Sequence, residues 1–450
     1  VIRLRPIPSP TTEESKKPKE DSTKTADAKD PAQETEAAPE PSVDWQLSQL
    51  PLAQAALVSL NADTGAIQAL VGGYDYRHSS FNRVTQAKRQ PGSNFKPFIY
   101  AAALENGMTA ATIINDAPIV FEDATLEGVW RPSNDSGKFD GPTRFRKALY
   151  KSRNLVSIRI LREIGFRNAV AYSEKFGFAP NSLPKDLSLA LGSTSQTPLD
   201  VVTGYAAFAN GGYKVDPFVI ARIEDYEKNI IYQASPKIVC HNDCIEGDGA
   251  DLNSLLGLPA NEELSMEEIM AGKEQPEPAI NEINFAEQII EERVAYIMDS
   301  ILKDVVRKGT GRRALKLGRN DIAGKTGTTN GPTDTWFSGY AGGVVTTAWV
   351  GFDGNGMLGR KEYGGSTALP IWMDYMEVAL KNKPERHLPQ PAGLVTVRIN
   401  PETGELAHPS LPGAIFETFR AEHAPANDNS TEPSGPYMTV PEDEISEEIF

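Results

Sequence analysis

The sequence has little cysteine, little histidine and no long apolar run. Without a stretch of about 18 apolar residues, no segment of it can cross a membrane as a helix. No secretory leader is visible, and the chain opens on Val1-Ile-Arg-Leu-Arg, which reads like a strand already under way. A targeting segment is therefore expected upstream. The two cysteines, Cys240 and Cys244, are separated only by His241-Asn-Asp. With five histidines in all and one beside this pair, a zinc site would lack its second pair of ligands. A local disulfide, formed in an oxidising compartment, is the expected state. Basic residues are also short, 45 Lys and Arg against 61 Asp and Glu, for a net charge of -16. Such a balance argues against nucleic acid as the main partner, because phosphate binding needs clustered cations.

What is present is an ordinary apolar fraction of 40% over 450 residues, enough for a large core and two or three structural units. Residues 8–42 hold almost no large apolar side chain and are expected to be disordered, since burial there cannot offset ordering entropy. From Val43 the pattern changes. Ala55–Asn61 and Ala66–Gly73 flank Ala62-Asp-Thr-Gly65, a hairpin signal. A helix is predicted from about Ser93 through Glu105, closed by Asn106-Gly107, and others near 143–165, 167–177, 198–210 and 292–307. Between about 241 and 292 lie fourteen acidic residues against a single lysine, which reads as a flexible surface insertion. Trp336–Ala341 and Val344–Phe352, joined by Gly342-Gly343, are predicted to pair as antiparallel strands.

Three short motifs carry the chemistry: Ser93-Asn-Phe-Lys96, Ser152-Arg-Asn154 and Lys325-Thr-Gly-Thr328. Ser-x-x-Lys recurs at Ser182–Lys185 and Ser300–Lys303, and Ser-x-Asn at Ser59–Asn61 and Ser80–Asn82, but only one assignment places all three in order. Residues three apart share a helical face, so Lys96 can sit beside the Ser93 hydroxyl. A serine hydroxyl needs a neighbouring base to become a nucleophile. An amine serves at neutral pH if burial and a second cation, here Lys325, lower its pKa. Pro97 is tolerated only in a first helical turn, which puts Ser93 at the positive end of its helix. The alternative serines fail: Pro184 makes 182–185 loop-like, and Ser300 falls mid-helix.

With these motifs come Phe81-Asn-Arg, Arg89-Gln-Pro-Gly-Ser-Asn-Phe-Lys-Pro-Phe, Ala190-Leu-Gly-Ser, Ala209-Asn-Gly-Gly, Gly309-Thr-Gly and Asp321-Ile-Ala-Gly-Lys-Thr-Gly-Thr-Thr-Asn. Together they resemble the penicillin-binding proteins, most of all the transpeptidase domain of class A members of the Gram-negative 1a type. The resemblance covers roughly 43–240 and 292–450. It implies an α+β penicillin-binding/serine β-lactamase-like transpeptidase fold, with a five-stranded antiparallel sheet flanked by helices on both faces. An all-helical subdomain would carry Ser93 and Ser152. Residues 1–50 would be the end of an accessory OB-like β-domain containing the 8–42 loop. The transpeptidase domain would fill 51–450, with the acidic insertion at about 241–292 and a polar tail from about 421. No Glu-Asp-x-x-Phe motif represents the family's glycosyltransferase half, which would lie upstream with the membrane anchor.

The same resemblance implies a D,D-transpeptidase acting on peptidoglycan stem peptides ending in D-Ala-D-Ala and inhibited covalently by β-lactams, at the periplasmic face of the inner membrane. Ser93 would attack, Lys96 would be general base, and Ser152 would relay a proton to the departing D-Ala. Asn154 would hold the peptide amide and position Lys96. The amides of Ser93 and Thr328 would form the oxyanion hole. Lys325, Thr326 and Thr328 would hold the terminal carboxylate, and Gly327 would let the substrate backbone approach the strand. No metal or organic cofactor is implied; an outer-membrane lipoprotein activator is a possible partner. Two rivals share the motifs, a β-lactamase-like hydrolase and a penicillin-binding sensor. Glu277-Pro-Ala-Ile-Asn281 matches the deacylating loop of one penicillinase class by letter. Its position, far beyond Ser152 and inside the acidic insertion, argues that Glu277 is a solvated surface residue.

Overall fold

The computed structural model describes residues 2–6, 45–119, 130–240 and 284–425. The 8–42 loop, Cys244, Glu277 and the tail beyond 425 lie outside them. By internal contacts the chain divides into Val1–Ala53 and Gln54–Phe450. In the first unit, β1 (Ile2–Pro6) and β2 (Trp45–Gln49) form an antiparallel ladder running from Ile2 opposite Gln49 to Pro6 opposite Trp45.

The second unit is built on a five-stranded antiparallel sheet. Its first two strands, β3 (Gln54–Asn61) and β4 (Ile67–Val71), form the expected hairpin, with Gly65 left-handed at φ 77° in the turn. Short ladders follow along the chain. They are β5 (Ile113–Asp116) with β6 (Gly141–Arg144), β7 (Arg222–Glu224) with β8 (Ile230–Gln233), and β9 (Lys237–Ile238) parallel to β10 (Asn284–Phe285). The sheet is completed by β11 (Ala323–Thr328), β12 (Asp334–Ala341) and β13 (Val344–Gly351), in the order β11-β12-β13-β3-β4. A final hairpin joins β14 (Leu394–Ile399) to β15 (Ile415–Arg420).

Side chains alternate across a strand, and both sheet faces are apolar. Val58, Leu60, Trp336, Tyr340, Val345 and Trp349 enter one core cluster. Leu57, Phe337, Ala341, Val344, Ala348 and Val350 enter a second. The first is roofed by α1 (Lys96–Glu105), α3 (Asn154–Ile164), α4 (Phe166–Lys175), α5 (Pro198–Ala209) and α6 (Glu292–Arg307). The second is covered by α7 (Ala368–Ala379), through Leu369, Trp372 and Met376. This is the expected five-stranded sheet with helices on both faces. α1 is its central post, buried at every residue except Glu105. Proline in its first turn suits a position whose amide would have no partner.

Two expectations need correcting. The single helix predicted over 143–165 is two, α2 (Phe145–Tyr150) and α3, because Ser152 between them adopts a left-handed φ of 59°. Residues 284–291 of the expected insertion belong to the folded unit: Ala286 donates its amide to Ile238, and Ile290 is buried in the main core. The apolar pair Ile289-Ile290 provides the surface that its acidic surroundings lack.

Candidate active site

Gly92–Phe95 form a 3₁₀ turn that runs directly into α1. In such a turn residues three apart eclipse, which sets Lys96 on the same side of the chain as Ser93. The turn is pressed onto β11. Asn94 Nδ2 donates to the Lys325 carbonyl at 2.9 Å, and Trp336 Nε1 donates to the Gln90 carbonyl at 2.8 Å. A Cβ on Gly327 would lie 2.4 Å from the Pro91 carbonyl oxygen and 2.7 Å from Asn94 Cβ. Gly327 is therefore needed so that the Ser93 turn can pack against the strand. This is a further reason for glycine here, beside the close approach of a substrate backbone expected from sequence.

Ser152 joins the three motifs. Its Oγ lies 2.9 Å from Lys325 Nζ and 3.4 Å from Lys96 Nζ. Lys96 Nζ also donates to the Ser152 carbonyl at 2.9 Å and to Asn154 Oδ1 at 2.7 Å, and Lys325 Nζ to the Thr326 carbonyl at 2.9 Å. Both lysines are fully buried. Burial pulls the Lys96 ammonium down to about 7, opposed by the carboxylates Asp135 and Asp116 and helped by the Arg153 cation. Burial, and then the neighbouring Lys96, hold Lys325 well below the usual lysine range, with Asp135 opposing. The pair thus supplies a neutral amine near neutral pH behind a hydroxyl that donates to no group among the described residues.

The helical wall is fixed by side chains. Asn134 Oδ1 accepts the amides of Asn154 at 2.9 Å and Leu155 at 3.4 Å, capping α3 from a distant loop. Its Nδ2 donates to the fully buried Asp116 at 2.8 Å, which also accepts the Asp140 amide and lies 3.5 Å from Arg153 Nε. Asn154 Nδ2 donates to the Ser133 carbonyl and to Asp135 Oδ1 at 3.1 Å, which turns its oxygen toward Lys96. Sequence reasoning missed Asn134, Asp135 and Asp116. Ser133-Asn-Asp-Ser-Gly137 signals only a turn, and nothing in it announces a cap placed twenty residues away.

A cleft of about 160 Å³ opens between the walls, lined by Ser93, Trp130, Asp135, Asn154, Ser193 and Thr328 among others. The strand residues expected to hold a carboxylate are presented differently from one another. The Thr328 hydroxyl accepts the Gly364 amide at 3.1 Å, Thr326 shares a 2.6 Å hydrogen bond with Thr310, and Lys325 addresses Ser152. The alternative serines are otherwise engaged. Ser182 Oγ donates to the Ala179 carbonyl and accepts from Gln196, while Ser300 Oγ accepts from Arg146 and Lys303 is paired with Asp299. Cys240 is disulfide-bonded. Among the described residues no helix is long and apolar enough to cross a membrane.

Comparison with known proteins finds the penicillin binding protein transpeptidase domain over residues 55–377. Over 406 residues the chain is 50% identical to penicillin-binding protein 1A of Pseudomonas aeruginosa, covering 88% of this chain and 48% of that one. It is 45% identical to penicillin-binding protein 1A of Neisseria gonorrhoeae over 353 residues, 78% of this chain and 39% of the other. The crystal structure of penicillin-binding protein 1A from Haemophilus influenzae superposes with a TM-score of 0.74 at 37% identity, covering 85% of this chain and 55% of that one. PonA1 of Mycobacterium tuberculosis, at 23% identity and TM-score 0.58 over 76% of this chain and 81% of its own, shares the fold. The chain spans about half the length of the curated relatives it matches, or less.

Proposed function

The chain belongs to the penicillin-binding protein transpeptidase family, and on that premise we propose that it is a serine D,D-transpeptidase that cross-links peptidoglycan stem peptides. The observation that carries the reading is the Ser152 hydroxyl, reached by both Lys96 and Lys325 beside the cleft that holds Ser93.

Neutral Lys96 takes the proton of Ser93 Oγ, which attacks the carbonyl carbon of the penultimate D-Ala. The developing oxyanion rests on the amides of Ser93 and Thr328, donors fixed in advance by the turn and the strand. Lys96 then returns its proton through Ser152 to the leaving nitrogen as the C–N bond breaks, and D-Ala departs. The Lys325 cation orients Ser152 and attracts the substrate's terminal carboxylate, which the Thr328 and Thr326 hydroxyls receive. An amine of a neighbouring strand next attacks the acyl-Ser93 carbonyl, forming the cross-link and releasing Ser93. A β-lactam enters the same first step and stays attached.

In this reading the site works at the periplasmic face of the inner membrane, where stem peptides are exposed, and an outer-membrane lipoprotein is a candidate activator. The β1–β2 ladder belongs to an accessory β-domain, and the transpeptidase domain begins near residue 51. The test is release of D-Ala from a short peptide ending in D-Ala-D-Ala. Wild type should release it with formation of an acyl-enzyme, and Ser93→Ala should release none. Release by Ser93→Ala at the wild-type rate would overturn the assignment.

A further inference from the structure

The proposed reaction has two substrates, and the groups described so far serve mainly the first. The acceptor is an amine that arrives as an ammonium ion at neutral pH, and it must come within reach of the acyl group on Ser93. The Lys325 cation repels it.

Asp135 is placed to counter that repulsion. It lines the cleft together with Ser93 and is exposed to solvent. One carboxylate oxygen accepts the 3.1 Å hydrogen bond from Asn154 Nδ2. The other makes no hydrogen bond or ion pair among the described residues. Its loop is held from below: Asn134 is 4% exposed, donates to Asp116 and to the Lys138 carbonyl, and accepts the Gly137 amide on its own carbonyl. The carboxylate is therefore preorganised, on the helical wall and not on the strand wall. The donor peptide cannot be its ligand in this orientation, because that substrate ends in a carboxylate that like charge would repel.

Resting on the transpeptidase reading above, we propose that Asp135 is the receptor for the acceptor amine in the second half-reaction. It recruits the ammonium and orients it toward acyl-Ser93. The ammonium loses one proton to solvent and the amine, still donating to Asp135, attacks the acyl carbon. The N–C bond forms, the C–Oγ bond breaks, and the second amine proton passes through Lys96 to Ser93 Oγ.

The measurement is the partition of the acyl-enzyme, read as the ratio of transfer to hydrolysis. That ratio does not depend on how fast acylation ran, so any effect of Asp135 on Lys96 during acylation drops out. The full chain is incubated with a peptide ending in D-Ala-D-Ala, with glycinamide as cationic acceptor or methanol as neutral acceptor. Asp135→Asn keeps an oxygen for Asn154 but loses the charge. It should lower the glycinamide ratio about ten-fold, the scale of one charge-assisted hydrogen bond, and leave the methanol ratio as in wild type. Asp135→Glu should recover part of the loss. An unchanged glycinamide ratio, or an equal fall with both acceptors, would overturn the proposal and leave the acyl-transfer reading standing. Absence of any Ser93-dependent D-Ala release in wild type would overturn both.

Discussion

The two walls of the cleft are held in different ways. The strand wall is fixed by backbone: β11 lies in register with β12 from Ala323 opposite Tyr340 to Thr328 opposite Thr335, and Gly327 meets the Ser93 turn with no side chain between them. The helical wall hangs on a few side chains. Ser152 sits in a left-handed break between two helices, Asn134 caps the second of them, and Asp116 holds Asn134. Geometry built from a ladder resists single substitutions until something intrudes on the backbone. Geometry built from side-chain hydrogen bonds around a strained residue is open to adjustment one residue at a time. Backbone strain in a non-glycine residue persists where its surroundings over-determine it, and such places cluster at functional sites.

The largest expected effect falls between the walls. Lys96→Met should slow acylation by penicillin by about 10²–10⁴-fold, the usual range for a general base. In wild type the acylation rate should rise with pH through an inflection near 7, following the lowered Lys96 value; a flat profile from pH 5 to 9 would remove Lys96 as base. The stability consequence has a defined sign. The folded-state value lies below the 10.5 of an ordinary lysine, so between the two the unfolded chain binds more protons and wild type gains stability as pH rises. Lys96→Met should therefore melt highest relative to wild type below pH 7, with the gap narrowing toward alkaline pH.

The strand wall breaks next. Gly327→Ala puts a methyl group against the Pro91 carbonyl and should cost about 1–3 kcal/mol, with melting temperature and acylation falling together. A variant that melts and acylates like wild type would show that this contact does not set the site. On the helical wall stability and activity should separate. Ser152→Gly and Ser152→Ala both remove the hydroxyl and should lose acylation alike, but glycine tolerates the left-handed backbone and should be the more stable by about 1 kcal/mol. Equal melting temperatures would remove the strain. The smallest effect belongs to the Cys240 disulfide, which is remote from Ser93 in the sequence. A bond closing so short a loop contributes on the order of 2 kcal/mol in the loop-entropy model, and its reduction should leave the acylation rate unchanged.

These contrasts also explain what was legible in the sequence. Motif order pointed to Ser93, Lys96, Ser152, Asn154 and Lys325 as one group, and the fold brings Lys96, Asn154 and Lys325 together around Ser152. The β3–β4 hairpin and the pairing of β12 with β13 were legible from turn glycines and from apolar runs. The break at Ser152 was not, since Ala148-Leu-Tyr-Lys-Ser-Arg-Asn-Leu155 contains neither glycine nor proline and its left-handed residue is imposed by tertiary contacts. Gly327 was identified for a different reason, because the atoms it avoids belong to a turn more than two hundred residues earlier. Asn134 and Asp135 carried only a turn signal, as their partners are set by the fold. The α7 helix, rich in apolar residues on every side, offered no clear period to read.

In the mechanism proposed above, one hydroxyl, Ser93, is activated by the lysine pair gathered around Ser152. Intact mass measurement after incubation with a penicillin tests it most directly, followed by digestion to locate the adduct. One added drug mass is expected, on the peptide containing Ser93, absent from Ser93→Ala while that variant melts within a degree or so of wild type. An adduct that persists in Ser93→Ala on the peptide of Ser182 or Ser300, or a folded wild-type chain that gains no mass, would contradict it.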